Sequence, residues 1–391
     1  MLPYAKRMES LPFSGIRVMM EKATRMEAAG EPVIHLELGR PDFDTPQVIK
    51  DAVYESIAGG NVFYTSNYGT QGLRSAIARK LQAENHVDYD PSEILVTVGV
   101  GEGTYCAFGA FLEPGDEVLI PDPVWLNYIH VPEYLGAKAV PYTLREENGY
   151  QIDFEELERN VSPHTKMLVI ISPNNPTGSV LGRQTLEELA AFAIRHGLYV
   201  VADEIYEKLV YGGQEHISIA SLPGMKERTI TLNGFSKAYS MTGWRLGYMA
   251  APREVIAGAV RLHQHINTCA PSFVQDAGVA ALEKAAPDVE AMRREYERRM
   301  NYVVDAIGRI PGLSCHRPEG AFYVMVNVKQ LGKSAAFLAD HYLDQAKLAM
   351  VPGTAFGGAG EGYLRLSYAN NYENLVEACG RLAEATEKLV R

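Results

Sequence analysis

Residues 166–206 read KMLVIISPNNPTGSVLGRQTLEELAAFAIRHGLYVVADEIY, and the succession of patterns in that stretch decides the fold. Lys166–Ile171 (KMLVII) is a short, continuous apolar run closed by Ser-Pro-Asn, as expected of a strand buried on both faces. Thr185–His196 then places Leu186, Leu189, Ala190, Ala193 and Ile194 on one helical face, with Thr185 the expected N-cap and Gly197 the expected stop. Leu198–Ala202 (LYVVA) is a second buried run. Strand, helix and strand at this spacing predict a parallel sheet covered by helices.

The same reading extends outward. Ile94–Val98 (ILVTV), Glu117–Ile120 (EVLI) and Thr229–Leu232 (TITL) are further short runs rich in Val, Ile and Leu. Downstream, Asp288–Ile307 is a long amphipathic helix whose Val289, Met292, Tyr296, Met300, Val303 and Ile307 recur at three- and four-residue steps. Gly320–Val328 and Tyr363–Ser367 are expected as strands of a second, smaller unit closed by a C-terminal helix. The pattern puts a boundary near residue 290, and the expected fold class is α/β.

Composition narrows the field without naming a chemistry. The 391 residues are 47% hydrophobic and 22% charged, with 35 Gly and 21 Pro, so collagen-like and low-complexity readings are excluded. A net charge of −11 argues against a nucleic-acid or anionic-membrane surface. The four cysteines (Cys106, Cys269, Cys315, Cys379) are scattered, with no disulfide framework and no metal ligand set to be read. The opening MLPYAKRMESLPFSG holds no apolar run of signal-peptide length, and no stretch approaches a membrane span. A cytoplasmic enzyme is the default expectation, although composition alone does not specify an enzyme.

In an open parallel sheet, ligands bind beyond the C-terminal strand ends. There the sequence places Ser172–Gly178 (SPNNPTG), Asp203–Tyr206 (DEIY), Asn233–Lys237 (NGFSK), Met241–Arg245 (MTGWR) and the glycine-rich turn Gly99–Gly103 (GVGEG). Each is ordinary punctuation alone, since Asn-Pro-Thr-Gly is a turn signal and GVGEG lacks the spacing of a dinucleotide fingerprint or a P-loop. Together they bring an acid, amides, a lysine and an arginine to one sheet edge.

With these residues the chain resembles the class I pyridoxal-phosphate aminotransferases of fold type I. Further matching stretches are Gly39–Pro46 (GRPDFDTP), Tyr64–Arg74 (YTSNYGTQGLR), DEIYE, SKAYSMTGWRLGY, Gly320–Tyr323 (GAFY), Val351–Gly353 and Arg365–Tyr368. The resemblance implies a large domain, 46–289, with a mostly parallel sheet between helices that binds the cofactor. It also implies a small α+β domain made of 1–45 and 290–391. It implies that pyridoxal 5'-phosphate is held as a Schiff base by Lys237, the amine that then shuttles the proton. Asp203 would pair with the ring nitrogen, Asn175 and Tyr206 would bond the ring's phenolic oxygen, and Trp125 would stack on the ring. Arg245, Ser236 and the backbone N–H groups of Gly101 and Glu102 would hold the phosphate. Tyr64 would reach the phosphate of the neighbouring subunit in a homodimer. Arg365 would clamp the α-carboxylate, with Gly39, Trp125 and Asn175 completing the substrate site.

Two departures qualify the match. Better-known members carry Ser where this chain has Gly234, which removes one phosphate hydrogen bond. Aspartate-selective members of a similar subgroup carry Lys where this chain has Gly101, and no arginine can be assigned to a distal carboxylate. Arg261, His263 and His265 are expected on a solvated helix face. The implied reaction is transfer of an amino group from a neutral, aromatic or broadly chosen L-amino acid to a 2-oxo acid, with 2-oxoglutarate the expected acceptor, in a ping-pong cycle. The alternatives are an aspartate aminotransferase, a carbon–sulfur β-lyase or decarboxylase on the same lysine, and a non-catalytic sensor that binds the cofactor.

Overall fold

The computed structural model describes residues 4–9 and 11–391. Strand β1 (Ile34–His35) is followed by β2 (Ile94–Thr97), β3 (Glu117–Asp122), β4 (Lys138–Thr143), β5 (Thr165–Ile171), β6 (Tyr199–Asp203), β7 (Thr229–Gly234) and β8 (Gly247–Ala250). Strands β2 to β8 form one seven-stranded sheet in the order β2-β8-β7-β6-β5-β3-β4. The five strands from β7 to β4 pair in parallel, while β8 runs antiparallel to both its neighbours. The apolar runs in β2, β5, β6 and β7 are almost entirely buried, as strands covered on both faces must be.

Register sets the place of the site. Asp203 at the end of β6 lies opposite Ile171 of β5 on one side and Leu232 of β7 on the other. The segments that leave these three ends therefore start level with one another, at the carboxyl edge where parallel sheets bind ligands. At β7 and β8, Gly234 pairs with Gly247, and Gly247 in turn pairs with Thr97 of β2. That junction brings the glycine-rich turn after β2 to the same edge.

A second sheet follows. Strands β9 (Ser314–Cys315), β10 (Tyr323–Asn327), β12 (Val351–Pro352) and β13 (Tyr363–Ser367) are antiparallel in the order β12-β13-β10-β9. Strand β11 (Leu348–Ala349) pairs in parallel with β1, so the N-terminal segment lies with the C-terminal part of the chain. No helix among the described residues is long and apolar enough to cross a membrane.

Some local expectations shift. The helix Arg183–His196 begins with Gly182 as N-cap, so Thr185 stands inside its first turn, where its hydroxyl faces Gln151. Gly197 does end that helix, at φ +66°. The strand expected over Gly320–Val328 starts only at Tyr323, because Ala321 is left-handed at φ +60° and Gly320 bridges instead to Val210. Strands β4 and β8 escaped the sequence reading. Strand β4 is half-exposed and carries a proline, while β8 is four residues (GYMA) hidden in the tail of a motif.

The long helix spans Ala286–Ile307 and passes through residue 290. Its Arg299 is nearly buried, donates to both carboxylate oxygens of Asp42 at 2.8 Å, and takes Glu295 at 2.8 Å. This fork anchors the segment that carries Gly39. Removing Asp42 leaves the nearly buried guanidinium with Glu295 alone. Asp42→Ala is expected to cost about 1–2 kcal/mol in urea unfolding, and Asp42→Ala with Arg299→Met clearly less; equal losses would show that the pair carries no such weight.

Candidate active site

One cavity of about 610 Å³ opens between the carboxyl edge of the large sheet and the small sheet. Gly39, Gly101, Trp125 and Asn175 line it, as do Asp203, Tyr206, Ser236, Lys237, Arg245 and Arg365. Two expected residues stand elsewhere. Glu102 lies behind the wall, and Tyr64 is 87% exposed on the outer surface of this single chain.

Asp203 is 6% exposed. Its Oδ2 accepts from the Tyr128 hydroxyl at 2.7 Å and its Oδ1 from the Ile205 amide at 3.1 Å. No cation lies within ion-pair distance among the described residues. Burial pushes its carboxyl up from 3.8 to about 6, against the two hydrogen bonds and the more distant Lys237. Tyr128, in the helix Asn127–Leu135, was not singled out from the sequence, and nothing in its flanks marks it.

Arg365 is fully buried, yet among the described residues no carboxylate pairs with it. Its Nη1 donates to Asn175 Oδ1 at 3.2 Å, its Nη2 donates to the Glu37 carbonyl at 2.5 Å, and its Nε has no partner. The guanidinium lies 4.4 Å from the centre of the Tyr323 ring, a cation–π contact. A buried cation without a countercharge is costly unless a ligand supplies one. Asn175 spends its oxygen on this bond, which leaves its N–H pair for the cavity. Ser172–Pro173 and Asn175–Pro176 in the loop carrying it are cis.

Lys237 donates from Nζ to the Gly39 carbonyl at 2.5 Å. Burial first, and Arg365 next, pull its amine down from 10.5 to about 8, with Asp203 pulling the other way. The Tyr206 hydroxyl bonds that of Tyr323 at 2.8 Å, and burial holds Tyr206 neutral well above its ordinary range. Tyr323 lines the cavity and was left without a role by the sequence reading, although it stands in the GAFY match. Its hydroxyl would lie 2.5 Å from any Cβ at Gly39, so only glycine lets that backbone approach.

The turn after β2 is built by close packing. Gly99 has φ +75°, and an added Cβ would lie 2.3 Å from Arg245 Nη2. A Cβ at Gly247 would meet the Gly99 and Val100 backbone at 2.8 Å. A Cβ at Gly234 would meet Gly247 Cα and the Leu246 carbonyl at 2.9 Å, so the serine of better-known members is excluded here by backbone rather than merely missing. Arg245 itself sits at φ +55°, a strained setting for a side chain, with Nη1 tied to the Thr242 carbonyl at 3.0 Å. Behind the turn, Glu102 accepts from the Val98 amide at 2.6 Å and faces His263 Nδ1 at 2.8 Å. The carboxylate expected to stay out of the phosphate site is thus spent on bracing it. His263, expected on a solvated face, is instead fully buried, because Glu102 needs a polar partner beneath the helix Val100–Phe111.

The family model for class I and II aminotransferases matches residues 31–382 of the chain. The chain belongs to this family. An aromatic-amino-acid aminotransferase of Thermococcus litoralis is 43% identical to this aminotransferase over 98% of both chains. An aspartate aminotransferase of Pyrococcus abyssi is 44% identical over 98% of this chain and 97% of its own. Among solved structures, the aspartate aminotransferase of Thermus thermophilus with maleate superposes at a TM-score of 0.94, with 37% identity over 98% of this aminotransferase and 100% of that chain. The aromatic aminotransferase of Pyrococcus horikoshii gives 0.90, with 42% identity over 94% and 99%.

The cofactor of this aminotransferase is pyridoxal phosphate. The cavity fits it: a buried carboxylate without a cation, a guanidinium without an anion, an amine with a lowered pKa and a glycine-built turn at a helix start all face one space. Asp203 shows the cost of this arrangement. Its folded-state carboxyl binds a proton more tightly than the unfolded chain, an advantage present below about 4 and lost as pH rises through about 6. At pH 8 the ionised group burdens the cofactor-free fold. Asp203→Asn is expected to stabilise the cofactor-free protein at pH 8 by about 2 kcal/mol, with the gain shrinking toward pH 4. Chemical unfolding at both pH values measures it, and a destabilised variant at pH 8 would contradict it.

Proposed function

We propose that this aminotransferase moves an amino group between an L-amino acid and a 2-oxo acid in two half-reactions, with the cavity residues in the following roles. Lys237 Nζ is the attachment point of the cofactor and the group that moves a proton at the substrate Cα. Asp203 holds the ring nitrogen protonated. Asn175 and Tyr206 bond the phenolic oxygen, and Trp125 covers the ring. Arg245, Ser236 and the N–H groups of Gly101 and Glu102 hold the phosphate. Arg365 and the Gly39 backbone orient the α-carboxylate. Pyridoxal phosphate supplies the aldehyde that takes up the amino group and a ring that draws electrons from the reacting carbon.

The observation that carries these roles is the set of charges that face one cavity without a charged partner. Arg365, tied by Nη1 and Nη2 to Asn175 and Glu37, is held in one orientation for a planar carboxylate. Lys237, with its amine near 8, is partly neutral at physiological pH and so able both to attack a carbonyl carbon and to accept a proton. Its bond to Gly39 places that amine beside the proposed carboxylate site. The named aminotransferases among the relatives favour transamination over a β-lyase or decarboxylase. An apolar wall that includes Ile16, Met20 and Leu38 supports a neutral, aromatic or broad donor, with 2-oxoglutarate as acceptor.

Two coarser features belong to the same reading. Residues 46–289 form the large unit, and 1–45 with 290–391 the small one, a division supported by the β1–β11 pairing. The working form is a cytoplasmic homodimer in which Tyr64 reaches the neighbouring phosphate. Support comes from a run of exposed apolar side chains, Val62, Phe63 and Tyr64, with Tyr54 and Ile57 on the adjoining helix.

Borohydride reduction of the wild-type holoenzyme is expected to fix the cofactor to the peptide containing Lys237, and Lys237→Ala to abolish both that mass increase and turnover. A reduced adduct on another lysine would overturn the assignment. Lys237→Ala co-expressed with Tyr64→Ala is expected to give more turnover than either variant alone, because mixed dimers assemble one complete site. Strictly additive activity would remove Tyr64 from the neighbour's site.

A further inference from the structure

Two enclosed side chains of opposite charge meet behind the cavity without pairing. Arg365 and Glu37 are both fully buried, and the Glu37 carbonyl accepts from Arg365 Nη2 at 2.5 Å. Yet Arg365 Nε and Glu37 Oε2 are both without a hydrogen-bond partner among the described residues. The Glu37 carboxylate acts on Arg365 through space, favouring the charged guanidinium. What holds that carboxylate is His35, two positions back on the same face of an extended segment, with Nδ1 at 2.7 Å from Glu37 Oε1. His35 Nε2 lies 3.1 Å from a Glu27 oxygen on the helix Gly15–Ala28, so the imidazole is gripped from both sides. Between the two residues, the Leu36 amide donates to the Ala349 carbonyl at 2.9 Å and the Leu36 carbonyl accepts from the Ser367 amide at 2.8 Å. The segment is thereby tied to β13, the strand that carries Arg365.

We propose that His35 is a positioning residue for substrate binding: by holding the Glu37 carboxylate it keeps an internal anion off Arg365, which leaves that guanidinium free for the substrate α-carboxylate. This rests on the clamp role proposed above for Arg365. Without a cation at position 35, Glu37 is a buried charge whose remaining opposite charge is Arg365. An internal ion pair then competes with the substrate for the same fork. The grip of His35 depends on a proton. Its hydrogen bond to Glu37 is the main cause that lifts the imidazole from 6.5 to about 9, against burial, and Glu27 adds to the rise. The other elements packed around it bring no free charge: β11 presents Leu348 and Ala349, Lys347 is paired with Glu31, and Arg381 of the helix Tyr372–Val390 with Glu377. The hold on Glu37 is therefore complete at neutral pH and is lost as pH rises through about 9. The released carboxylate then turns to Arg365, and carboxylate binding weakens.

The test titrates 3-phenylpropanoate, a carboxylate with no amino group of its own, into each holoenzyme by calorimetry at about pH 7.5 and about pH 10, on either side of the His35 transition. Wild-type affinity is expected to fall between the two, and Glu37→Gln, which keeps the carbonyl that meets Arg365, to lose about five-fold of that fall. The part common to both proteins belongs to other groups of the cavity, Lys237 among them. At the lower pH, His35→Gln is expected to bind about five-fold more weakly than wild type, and His35→Gln with Glu37→Gln to recover the affinity. In turnover the loss in His35→Gln falls on KM more than on kcat. An equal pH dependence in wild type and Glu37→Gln overturns the proposal, as does a double variant no tighter than His35→Gln. Should His35→Gln fail to fold, the first comparison decides alone. A wild type that takes up no probe, or an Arg365→Lys variant that binds it as tightly as wild type, sinks the clamp role of Arg365 instead.

Discussion

A carboxylate kept almost out of water, with hydrogen-bond donors but no cation, is the constraint around which this active site is organised. Asp203 ends a strand held level with its neighbours on both sides, so its position is fixed by the main-chain ladder rather than by a flexible side-chain network. Tyr128 and the Ile205 amide keep it hydrogen-bonded without neutralising it. Burial makes that unbalanced charge costly, and the strand ladder holds Asp203 in place despite the cost. Arg365, on the small sheet, is the mirror case: a cation enclosed without an anion. The two stand on opposite structural layers of one cavity, and a ligand carrying both signs satisfies both.

Much of this was legible in the residues. The strand–helix–strand period of 166–206 gave the parallel sheet, because short Val/Ile/Leu runs and a three-to-four residue helical stripe are unambiguous when they alternate. The loop residues Asn175, Asp203, Ser236, Lys237 and Arg245 were readable as a group because the sheet topology forces strand ends together. Strand β8 was not legible, since its direction depends on a pairing that four residues do not encode. Tyr128 was also invisible: a tyrosine inside a helix reads as core, and only tertiary contact shows its hydroxyl at Asp203.

Gly234 and His263 show how a residue's meaning changes once its neighbours are known. As a letter, Gly234 marks a missing hydroxyl; in place, it is one of three glycines that let β2, β7 and β8 meet at main-chain contact distance. The sequence pattern assigns His263 to a wet helix face, yet it closes a buried pair with Glu102 and so braces the turn that carries Gly101. Main-chain contact decides the residue at position 234, and a buried carboxylate decides the place of His263.

The hydrogen bond between Glu37 and Arg365 spans 328 positions of the chain. During synthesis on the ribosome, the large sheet can assemble from residues already extruded, whereas this contact and the β1–β11 pairing must await the final stretch. A nascent polypeptide therefore carries Asp203 and Lys237 through 128 further residues of synthesis after Lys237 before the guanidinium proposed to orient a substrate is made. Competence arrives as a late event, when the tail folds back onto the head, and a truncated product has no means of imitating the finished catalyst.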